Sequence, residues 1–444
     1  MSEAGRLSTN ATIIPRAQHS ISRQNISVNA LTVIRRLEKS GFEAYLVGGA
    51  LRDMLLGKSP KDFDVATNAT PEQIRRLFKN SRIIGRRFQI VHVRFGRDII
   101  EVTTFRGNHK DPDQQTSNKR SAVSDHGMLL RDNVFGTLEE DAERRDFTIN
   151  ALYYSPCDFC LYDFTDGAKD IASRTIRLIG DPETRYREDP VRILRAVRFA
   201  AKLEFHLDPA TEAAIDPLAG LLKNIPPARL FDESLKLFIS GHGLVAMEHL
   251  RKHQLLNYLL YEGENMLQAP VNRQLVEQAL INTDERLAQD KTVNPAFIFA
   301  VFLWPRVNLL MQSFMNDSLP PLAALHEAAQ IAIQQQQPLT AIPKRLQIIM
   351  KEIWELQLRL PNRKGMRAFK LLDHPRLRAA YDFLLLREQA GEIEPGLGQW
   401  WTEFQQQSAS EQQQSVNALG NGTAKTPRKS RRPRKRKATG HLSS

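Results

Sequence analysis

The sequence predicts a mixed α/β domain in its first third, an all-helical region after it, and a basic, disordered C-terminal tail. Strand-like segments alternate with helical patterns up to about residue 155, among them "EAYLVGG" (43–49) and "IIEVTTF" (99–105). From "EDPVRILRAVRFAAKL" (188–203) onward, apolar residues recur at helical spacing to about residue 390. Between Lys425 and Lys437 there are nine Lys or Arg residues and no acid.

The elements of the α/β domain follow from local signals. Residues 1–25 are polar and are expected to be disordered. A helix is predicted over 26–40 and ends at Gly41, and a short helix is predicted over 50–56. Thr70 and Pro71 have the residue types of an N-cap and a first helical position, which predicts a third helix. The segments 89–95 and 99–105 flank the turn "GRD" and predict a hairpin in an antiparallel sheet.

These patterns divide the chain into a head (26–155), a helical neck (156–245), a helical body (246–400), and a polar linker with a basic tail (401–444). Residues 107–127 are rich in polar and turn-forming types and are predicted to form a mobile loop within the head. Trp400 and Trp401 are expected to cap the last helix, although aromatic side chains could also stack on bases.

Composition excludes several classes of protein. Hydrophobic residues make up 41% and charged residues 25%, which is ordinary for a globular chain. We find no run of eighteen apolar residues and no secretory signal, which predicts a cytoplasmic protein without a transmembrane segment. Cys157 and Cys160 are the only cysteines, so a disulfide framework is excluded. Their C-x-x-C spacing lacks partners for a zinc site and favours two reduced thiols.

The basic tail accounts for most of the formal net charge of +12. Clustered cations bind a phosphate backbone because they release its counterions, so a nucleic acid is the favoured partner. A solubilising segment or a contact with an anionic membrane are the alternatives.

Asp62 and Asp64 lie one residue apart in "KDFDVATN" (61–68). In a strand, both side chains would point to the same face, where two carboxylates repel each other unless a cation lies between them. Glu101, in the predicted hairpin, would add a third carboxylate. Mg²⁺ prefers such oxygen ligands, and two ions can activate an attacking oxygen and hold a leaving one. We therefore expect two Mg²⁺ ions bound by Asp62, Asp64 and Glu101.

Glycines and basic residues near these acids suit a nucleotide. Gly48 and Gly49 separate a strand from a helix, where backbone N–H groups can approach a phosphate, and Arg52 could reach the same phosphate. In "RRDFTIN" (144–150), Arg145 can bind phosphate, while Asp146 and Asn150 can bond ribose hydroxyls. The alternative for the two glycines is a simple tight turn.

Three arginines recur every third residue after Asp189, which is a natural N-cap before Pro190. They fall near one face of a helix. Such a row is usually solvated, but beside the acids and glycines it could line a pocket for a triphosphate and base. The arginines are Arg192, Arg195 and Arg198.

Three stretches together resemble the class II nucleotidyltransferases of the DNA polymerase β type. "LVGGALRDMLLGKSPKDFDVATNATPEQ", "RRDFTINALYY" and "REDPVRILRAVRFAAKL" are similar to that family's motifs for catalysis, for ribose and triphosphate, and for nucleotide selection. The resemblance implies a polymerase β-like head, ATP as a substrate, and base reading by Asp189 and Arg192. It also places Asp146 near the catalytic centre, although its role stays open between ribose binding and catalysis.

The family contains bacterial poly(A) polymerases and CCA-adding tRNA nucleotidyltransferases. "IIGRRFQIVHVRFG", "NIPPARLFDESLKLF" and the basic tail resemble the poly(A) branch. This resemblance implies template-independent addition of AMP to RNA 3′ ends by a monomer, with RNA-decay machinery as a candidate partner. A CCA-adding enzyme and an RNA-binding protein with an inactive head are the alternatives. The motifs at 144–154 and 188–203 disfavour a third, a DNA-directed polymerase of the same superfamily.

Overall fold

A computed structural model describes residues 10–85, 89–107, 121–123, 129–132 and 134–419. Most of the predicted loop (107–127) and the whole basic segment (425–437) lie outside the described residues. Residues 121–123 of the predicted loop are described and form a short strand. For the rest of the loop and for the basic segment, the predictions stay predictions.

The described residues form an eight-stranded sheet in the order β1-β10-β9-β2-β3-β6-β5-β4. Neighbouring strands are antiparallel except β3 and β6, which are parallel. Strands β7 and β8 form a small antiparallel sheet, and β11 and β12 a parallel one. The strands are β1 Thr12–Ile14, β2 Ala44–Val47, β3 Asp64–Thr67, β4 Ser81–Ile84, β5 Ile90–Phe95, β6 Asp98–Thr104, β7 Ser121–Val123, β8 Leu129–Asp132, β9 Leu152–Tyr154, β10 Leu161–Asp163, β11 Thr175–Ile176 and β12 His206–Leu207.

Helices follow and partly cover the sheet, and from residue 182 onward they make up nearly all of the described regular structure. They are α1 Val28–Lys39, α2 Gly49–Leu55, α3 Pro71–Leu77, α4 Leu138–Arg144, α5 Gly167–Ala172, α6 Pro182–Glu188, α7 Val191–Leu203, α8 Pro209–Ala213, α9 Ile215–Leu218, α10 Pro227–Phe238, α11 Gly243–Lys252, α12 Gly263–Met266, α13 Pro270–Ala288, α14 Pro295–Asn316, α15 Pro321–Gln336, α16 Lys344–Arg359, α17 Met366–Leu372, α18 Leu377–Gln389, α19 Leu397–Gln406 and α20 Ala409–Ala418.

Local sequence explains the elements that position the site. Helix α3 begins with a capping box, in which Thr70 accepts from the backbone N–H of Gln73 and the Gln73 side chain accepts from the backbone N–H of Thr70. Strands β5 and β6 pair antiparallel across the predicted turn, with Val91 and Val93 on the buried face. Strand β2 is buried along its whole length, as expected for a central strand. The predicted mixed head and helical remainder are confirmed.

Two predicted disordered or linker segments are wrong in part. Residues 12–14, expected to be disordered, form the edge strand β1 because their backbone pairs with β10. That pairing also extends the sheet to Asp163, past the expected head boundary at 155. At the other end, α19 and α20 occupy much of the expected linker because Trp401 is fully buried and its Nε1 donates to the carbonyl oxygen of Leu360. The remaining domain boundaries stay predictions.

Helix α14 is, by length and composition alone, able to cross a membrane. More than half of its most apolar stretch is buried against the rest of the chain, and Phe299 and Trp304 belong to the main core. A core helix of a helical body has the same composition. Elsewhere in the described chain, Cys157 and Cys160 are free thiols near the turn between β9 and β10.

Candidate active site

The first element of the candidate site is a pair of carboxylates on two parallel strands. In the register of β3 with β6, Asp64 lies directly opposite Glu101. Partners in register on adjacent strands point to the same face of a sheet. Asp62 differs from the prediction: β3 begins only at Asp64, so Asp62 lies two residues before the strand. The structure therefore brings Asp64 and Glu101 together through the sheet, with Asp62 on the segment that leads into it.

The electrostatics of Asp64 show how these acids are coupled. Burial raises the pKa of Asp64 to about 6, and the negative charges of Glu101 and Asp62 add to that shift, while Arg145 opposes it. Among the described residues no group of three His, Cys, Asp or Glu is arranged to hold a metal ion. The donor set nevertheless fits Mg²⁺, because it consists of carboxylate oxygens whose mutual repulsion a cation would relieve.

His92 is a neighbour of Glu101 that the sequence analysis missed. It lies opposite Glu101 in the β5–β6 register, and its Nε2 is 3.0 Å from Glu101 Oε1. The predicted hairpin could have identified His92, because His92 and Glu101 are equally distant from its turn and therefore pair across the two strands. The imidazole orients one oxygen of Glu101 and leaves the other for a ligand.

Gly48 and Gly49 begin α2 directly beside Asp64. Gly48 has φ +81° and ψ −145°, a conformation that only glycine adopts without strain. A Cβ atom on Gly48 would lie 3.5 Å from Asp64 Oδ2. The glycine thus brings the backbone close to the carboxylate, which fits the predicted approach to a phosphate.

Arg52 is buried, and its contacts differ from the predicted reach toward a phosphate. Its Nε and Nη2 donate to Asp53 Oδ1 at 2.9 and 2.7 Å, and its Nη1 donates to Asn150 Oδ1 at 2.7 Å. These bonds join α2 to the segment 144–150. These contacts support a role for Arg52 in positioning α2 against the segment 144–150. The predicted contact of Arg52 with a phosphate stays a prediction.

Asp146 lies at the junction between the head and α7. Its Oδ1 accepts from the Asn150 side chain at 3.1 Å and from the Phe147 backbone at 2.8 Å, and its Oδ2 accepts from Arg195 Nε at 2.8 Å. Burial would raise the pKa of Asp146, but these donors, Arg195 above all, hold it well below its usual range. Asp146 is therefore occupied by protein donors, and Asn150 accepts from Arg52 through Oδ1 and donates to Asp146 through Nδ2. This arrangement supports a positioning role, and the predicted catalytic or ribose-binding role of Asp146 stays a prediction.

Arg145 binds a second buried acid, Asp141, which the sequence analysis did not identify. Its Nη2 donates to Asp141 Oδ2 at 2.9 Å and its Nε to the Tyr153 hydroxyl at 2.8 Å. Asp141 is fully buried and also accepts from Tyr153 and from the backbone of Arg106. Burial would raise the pKa of Asp141, but Arg145 and Arg106 lower it. The i, i+4 spacing of Asp141 and Arg145 on α4 was the available signal.

Asp189 and Arg192 are close in sequence but are held by different partners. Asp189 ends α6 instead of capping α7, because its Oδ2 accepts from Arg229 Nη2 at 2.8 Å; the predicted N-cap is wrong. Arg192 Nη1 donates to Glu188 Oε2 at 3.0 Å and to the carbonyl oxygen of Arg185 at 2.8 Å. Both side chains are thus oriented by the neck itself. Arg195 and Arg198 follow on the same helix, and Arg195 binds Asp146.

Comparison with known proteins places this geometry in a family. Residues 44–177 match the family described as "Poly A polymerase head domain". Over 439 residues the chain is 50% identical to poly(A) polymerase I of Salmonella typhimurium, covering 96% of this chain and 92% of the relative. The chain belongs to the poly(A) polymerase I family. The predicted family and its poly(A) branch are therefore confirmed.

A second member of the family is similar over the same share of this chain. Poly(A) polymerase I of Haemophilus influenzae is 45% identical, covering 96% of this chain and 95% of the relative. Two further regions match the descriptions "Probable RNA and SrmB- binding site of polymerase A" (204–267) and "Polymerase A arginine-rich C-terminus" (317–437). The CCA-adding enzyme of Lactobacillus helveticus is 38% identical over 50% of this chain and 53% of its own length. The CCA-adding branch is thus the more distant one.

Solved structures support the fold. A tRNA-processing enzyme in its apo form has a TM-score of 0.58 at 22% identity, covering 90% of this chain and 97% of its own. The Thermotoga maritima CCA-adding enzyme complexed with tRNA has a TM-score of 0.56 at 17% identity, covering 92% and 99%. The head with its mixed sheet and the helical remainder are therefore shared across both branches of the family.

Proposed function

We propose that the chain is a template-independent polynucleotide adenylyltransferase that adds AMP from ATP to RNA 3′ ends. The register that sets Asp64 opposite Glu101 carries this proposal, because it creates a carboxylate pair beside the glycines of α2. In the reaction, the RNA 3′-oxygen forms a bond to the α-phosphorus of ATP while the bond to the β-phosphate oxygen breaks. Pyrophosphate leaves with that electron pair, and the hydroxyl proton passes to solvent.

Asp62, Asp64 and Glu101 would hold two Mg²⁺ ions, which would lower the pKa of the RNA hydroxyl and stabilise the leaving pyrophosphate. The half-buried Asp64 and the glycine backbone beside it suit this role. Glu101 is oriented by His92, so its carboxylate is pre-positioned before a cation binds.

The chain's own residues would place the nucleotide. Asp189 and Arg192, fixed by Arg229 and Glu188, would read the adenine edge. Asp146 and Arg195 hold the neck helix against the head, so the base-reading residues keep a constant distance from the carboxylates. Side chains, rather than a template strand, would then select ATP.

Primer extension with each nucleotide separately tests the activity. The purified chain, single-stranded RNA, Mg²⁺ and one labelled NTP are combined, and the products are sized. Long ladders with ATP alone are expected. A short addition to tRNA that needs CTP and then ATP would move the chain to the CCA-adding branch. No incorporation with intact RNA binding would indicate an inactive head.

The tail and the helical body would hold RNA without reading its sequence. Deleting residues 425–437 removes nine cations and should weaken RNA binding and flatten its salt dependence. The measurement is the RNA dissociation constant at several salt concentrations, with the full chain as the reference. An unchanged salt slope would contradict this use of the tail. We also propose that the protein is a cytoplasmic monomer and that it associates with RNA-decay machinery.

A further inference from the structure

The head has a basic surface on the side of the sheet that faces away from the candidate active site. Asp64 and Glu101 point to one face of the sheet, whereas the residues that follow them, Val65 and Val102, point to the other face and belong to the main core. Helices α1 and α3 pack on that second face, because their buried residues belong to the same core. We call the outer sides of α1 and α3 the reverse face of the head.

Six cations are exposed on the reverse face. Three lie on α1 and three on α3 or directly after it: Arg35, Arg36, Lys39, Arg75, Arg76 and Lys79. The segments 28–39 and 71–80 that hold them contain only two acids, so their net charge is +4. Together with the nine cations of the tail, this slightly exceeds the formal net charge of +12, and the remainder of the chain is therefore close to neutral. The positive excess of the chain is thus concentrated in the tail and the reverse face.

The acids of the two helices do not neutralise these cations. Glu72 and Arg76 have the i, i+4 spacing that favours an ion pair, but none of the six cations forms an ion pair with any of the described residues. Glu38, three residues after Arg35, is hydrogen-bonded to the thiol of Cys157 instead. All six charges are therefore available to a partner.

Packing holds the two helices in a fixed arrangement. Arg36 Cζ lies 5.1 Å from the ring centroid of Phe78, the residue that ends α3, so a cation of α1 rests on α3. After Lys79, the carbonyl oxygen of Asn80 accepts from the backbone N–H of Arg94 on β5 at 3.1 Å. The six cations therefore form one continuous surface of fixed shape.

The composition of the reverse face indicates which anion fits it. Four of the six cations are arginines, whose planar guanidinium groups bind phosphate through two parallel hydrogen bonds. A helix that lies on a membrane needs large apolar side chains beside its cations. On α1 and α3, which the structure describes completely, Val28 is the one exposed large hydrophobic residue. A sugar-phosphate backbone therefore fits this face better than a lipid surface does.

We propose that the reverse face binds the RNA backbone upstream of the 3′ end that is being extended. This proposal rests on the proposed function for the identity of the polyanion. The face would keep a long RNA bound, without reading its sequence, while successive 3′ ends pass through the active site. It is a surface separate from the tail and from the helical body.

The position of the reverse face sets the length of RNA that can reach it. The path from Asp64 on β3 to the edge strand β4 crosses three strand spacings, or about 14 Å, and the helix layer adds about 10–12 Å. At about 3.4 Å per nucleotide of a stacked strand, roughly eight nucleotides span this path. A shorter RNA whose 3′ end is at the carboxylates cannot touch the reverse face.

Fluorescence anisotropy of the full-length chain with labelled single-stranded RNAs of about 6 and about 30 nucleotides tests this surface, because the two lengths lie below and above that span. The quadruple variant Arg35→Gln/Arg36→Gln/Arg75→Gln/Arg76→Gln should bind the long RNA about 10-fold or more weakly, since four cations that contact phosphates are lost. The slope of log K against log salt concentration should become less steep by up to about 3, because each phosphate contact with a single strand contributes about 0.7. Affinity for the short RNA and the rate of its extension should be unchanged.

Two sets of control variants separate the surface from general charge. Replacing the same four arginines by lysine keeps the charge and should retain most of the affinity for the long RNA. Lys169→Gln/Arg174→Gln removes two exposed cations at α5, and Arg75→Gln/Arg76→Gln removes the same number from the reverse face. Only the second double variant should bind the long RNA more weakly. A melting temperature close to that of the unaltered chain would show that each variant is folded.

Several outcomes would overturn the proposal. Unchanged affinity of the quadruple variant for the long RNA would do so, and so would equal losses for the long and the short RNA. If only binding to vesicles of anionic phospholipid were lost, the reverse face would be a membrane contact. Weaker binding of long RNA by the quadruple variant of a chain that never extends RNA would support the reverse face while rejecting the proposed function.

Discussion

Asp64 and Asp146 belong to two regions of the same candidate site and are shifted in opposite directions. At the β3–β6 edge, Asp64 faces other acids, and its pKa rises to about 6. At the junction with α7, Asp146 is surrounded by donors, and its pKa falls well below the usual range. Burial disfavours the charged form in both places. The charged and hydrogen-bonding groups next to each carboxylate therefore decide whether its pKa rises or falls.

This difference separates two functions of buried carboxylates. Asp146 has its full set of partners within the protein, so its charge stabilises the fold and holds the neck. Among the described residues Asp64 forms no ion pair, and Arg145 offsets the repulsion from Glu101 and Asp62 only in part, so its charge remains available to a ligand. Carboxylates that still repel each other in the folded chain, and therefore have shifted pKa values, are common in binding sites.

The largest effect should come from removing the charge of Asp64. Asp64→Asn should lower the rate of AMP addition by about 10³-fold or more, because several kcal/mol of metal-dependent stabilisation are lost. Primer extension measures the rate. Asp98→Asn, at the exposed start of β6, should keep normal activity. An Asp64→Asn protein that extends RNA normally would remove Asp64 from catalysis.

The next effect should come from breaking the partners of Asp146. Asp146→Asn should reduce the free energy of unfolding by about 2 kcal/mol, since it leaves Arg195 unpaired in a partly buried position. Urea denaturation measures this loss, and the double variant Asp146→Asn/Arg195→Gln should lose less than the sum of the two single variants.

Glu183→Gln provides the matched control for Asp146. It breaks an exposed i, i+4 pair with Arg187, and it should change the free energy of unfolding by about 0.5 kcal/mol or less. If Asp146→Asn and Glu183→Gln lower the free energy of unfolding equally, the ion pair of Asp146 with Arg195 contributes no more to stability than an exposed surface pair.

Gly48 tests the backbone beside Asp64. Gly48→Ala should cost about 1–3 kcal/mol of stability, because alanine at φ +81° is strained, while its Cβ would make only an ordinary contact with the Asp64 carboxylate. Gly220→Ala is the comparison, since Gly220 has no left-handed φ and no atom lies within 4 Å of a Cβ at that position. Thermal unfolding of both variants measures the difference, and equal losses would show that the conformation of Gly48 does not matter.

The smallest effect should appear in the pH dependence of stability without divalent ions. Asp64 has a folded pKa above its unfolded value of about 3.9, so its contribution is greatest below pH 4 and is lost as the pH rises through about 6. Asp146 behaves oppositely, since its contribution is present above that unfolded value and is lost in stronger acid. Melting temperatures in EDTA should show a decline between pH 4 and 6 that Asp64→Asn lacks. A parallel decline in that variant would assign the effect to other groups.

Local signals in the sequence were sufficient for much of the fold. Thr70 and Pro71 predict the start of α3 because an N-cap and a first helical position need only adjacent residues, and the structure adds Gln73 to complete a capping box. The β5–β6 hairpin follows from alternation around a short turn, and the glycine pair predicts a close backbone approach. Candidate acids and arginines were also found by residue type and spacing. The confirmed family resemblance rests on the same short stretches.

Partner choice was decided only by the tertiary structure. The parallel pairing of β3 with β6 sets Asp64 opposite Glu101, and no local pattern distinguishes this register from its neighbours. Arg195 and Asp146 meet across 49 positions of sequence, and Asp189 pairs with Arg229. A charged side chain's spacing shows which face it occupies, but its counter-ion depends on what packs against that face. The sequence therefore determined which groups the site could use, and packing decided which of them remain available to a ligand.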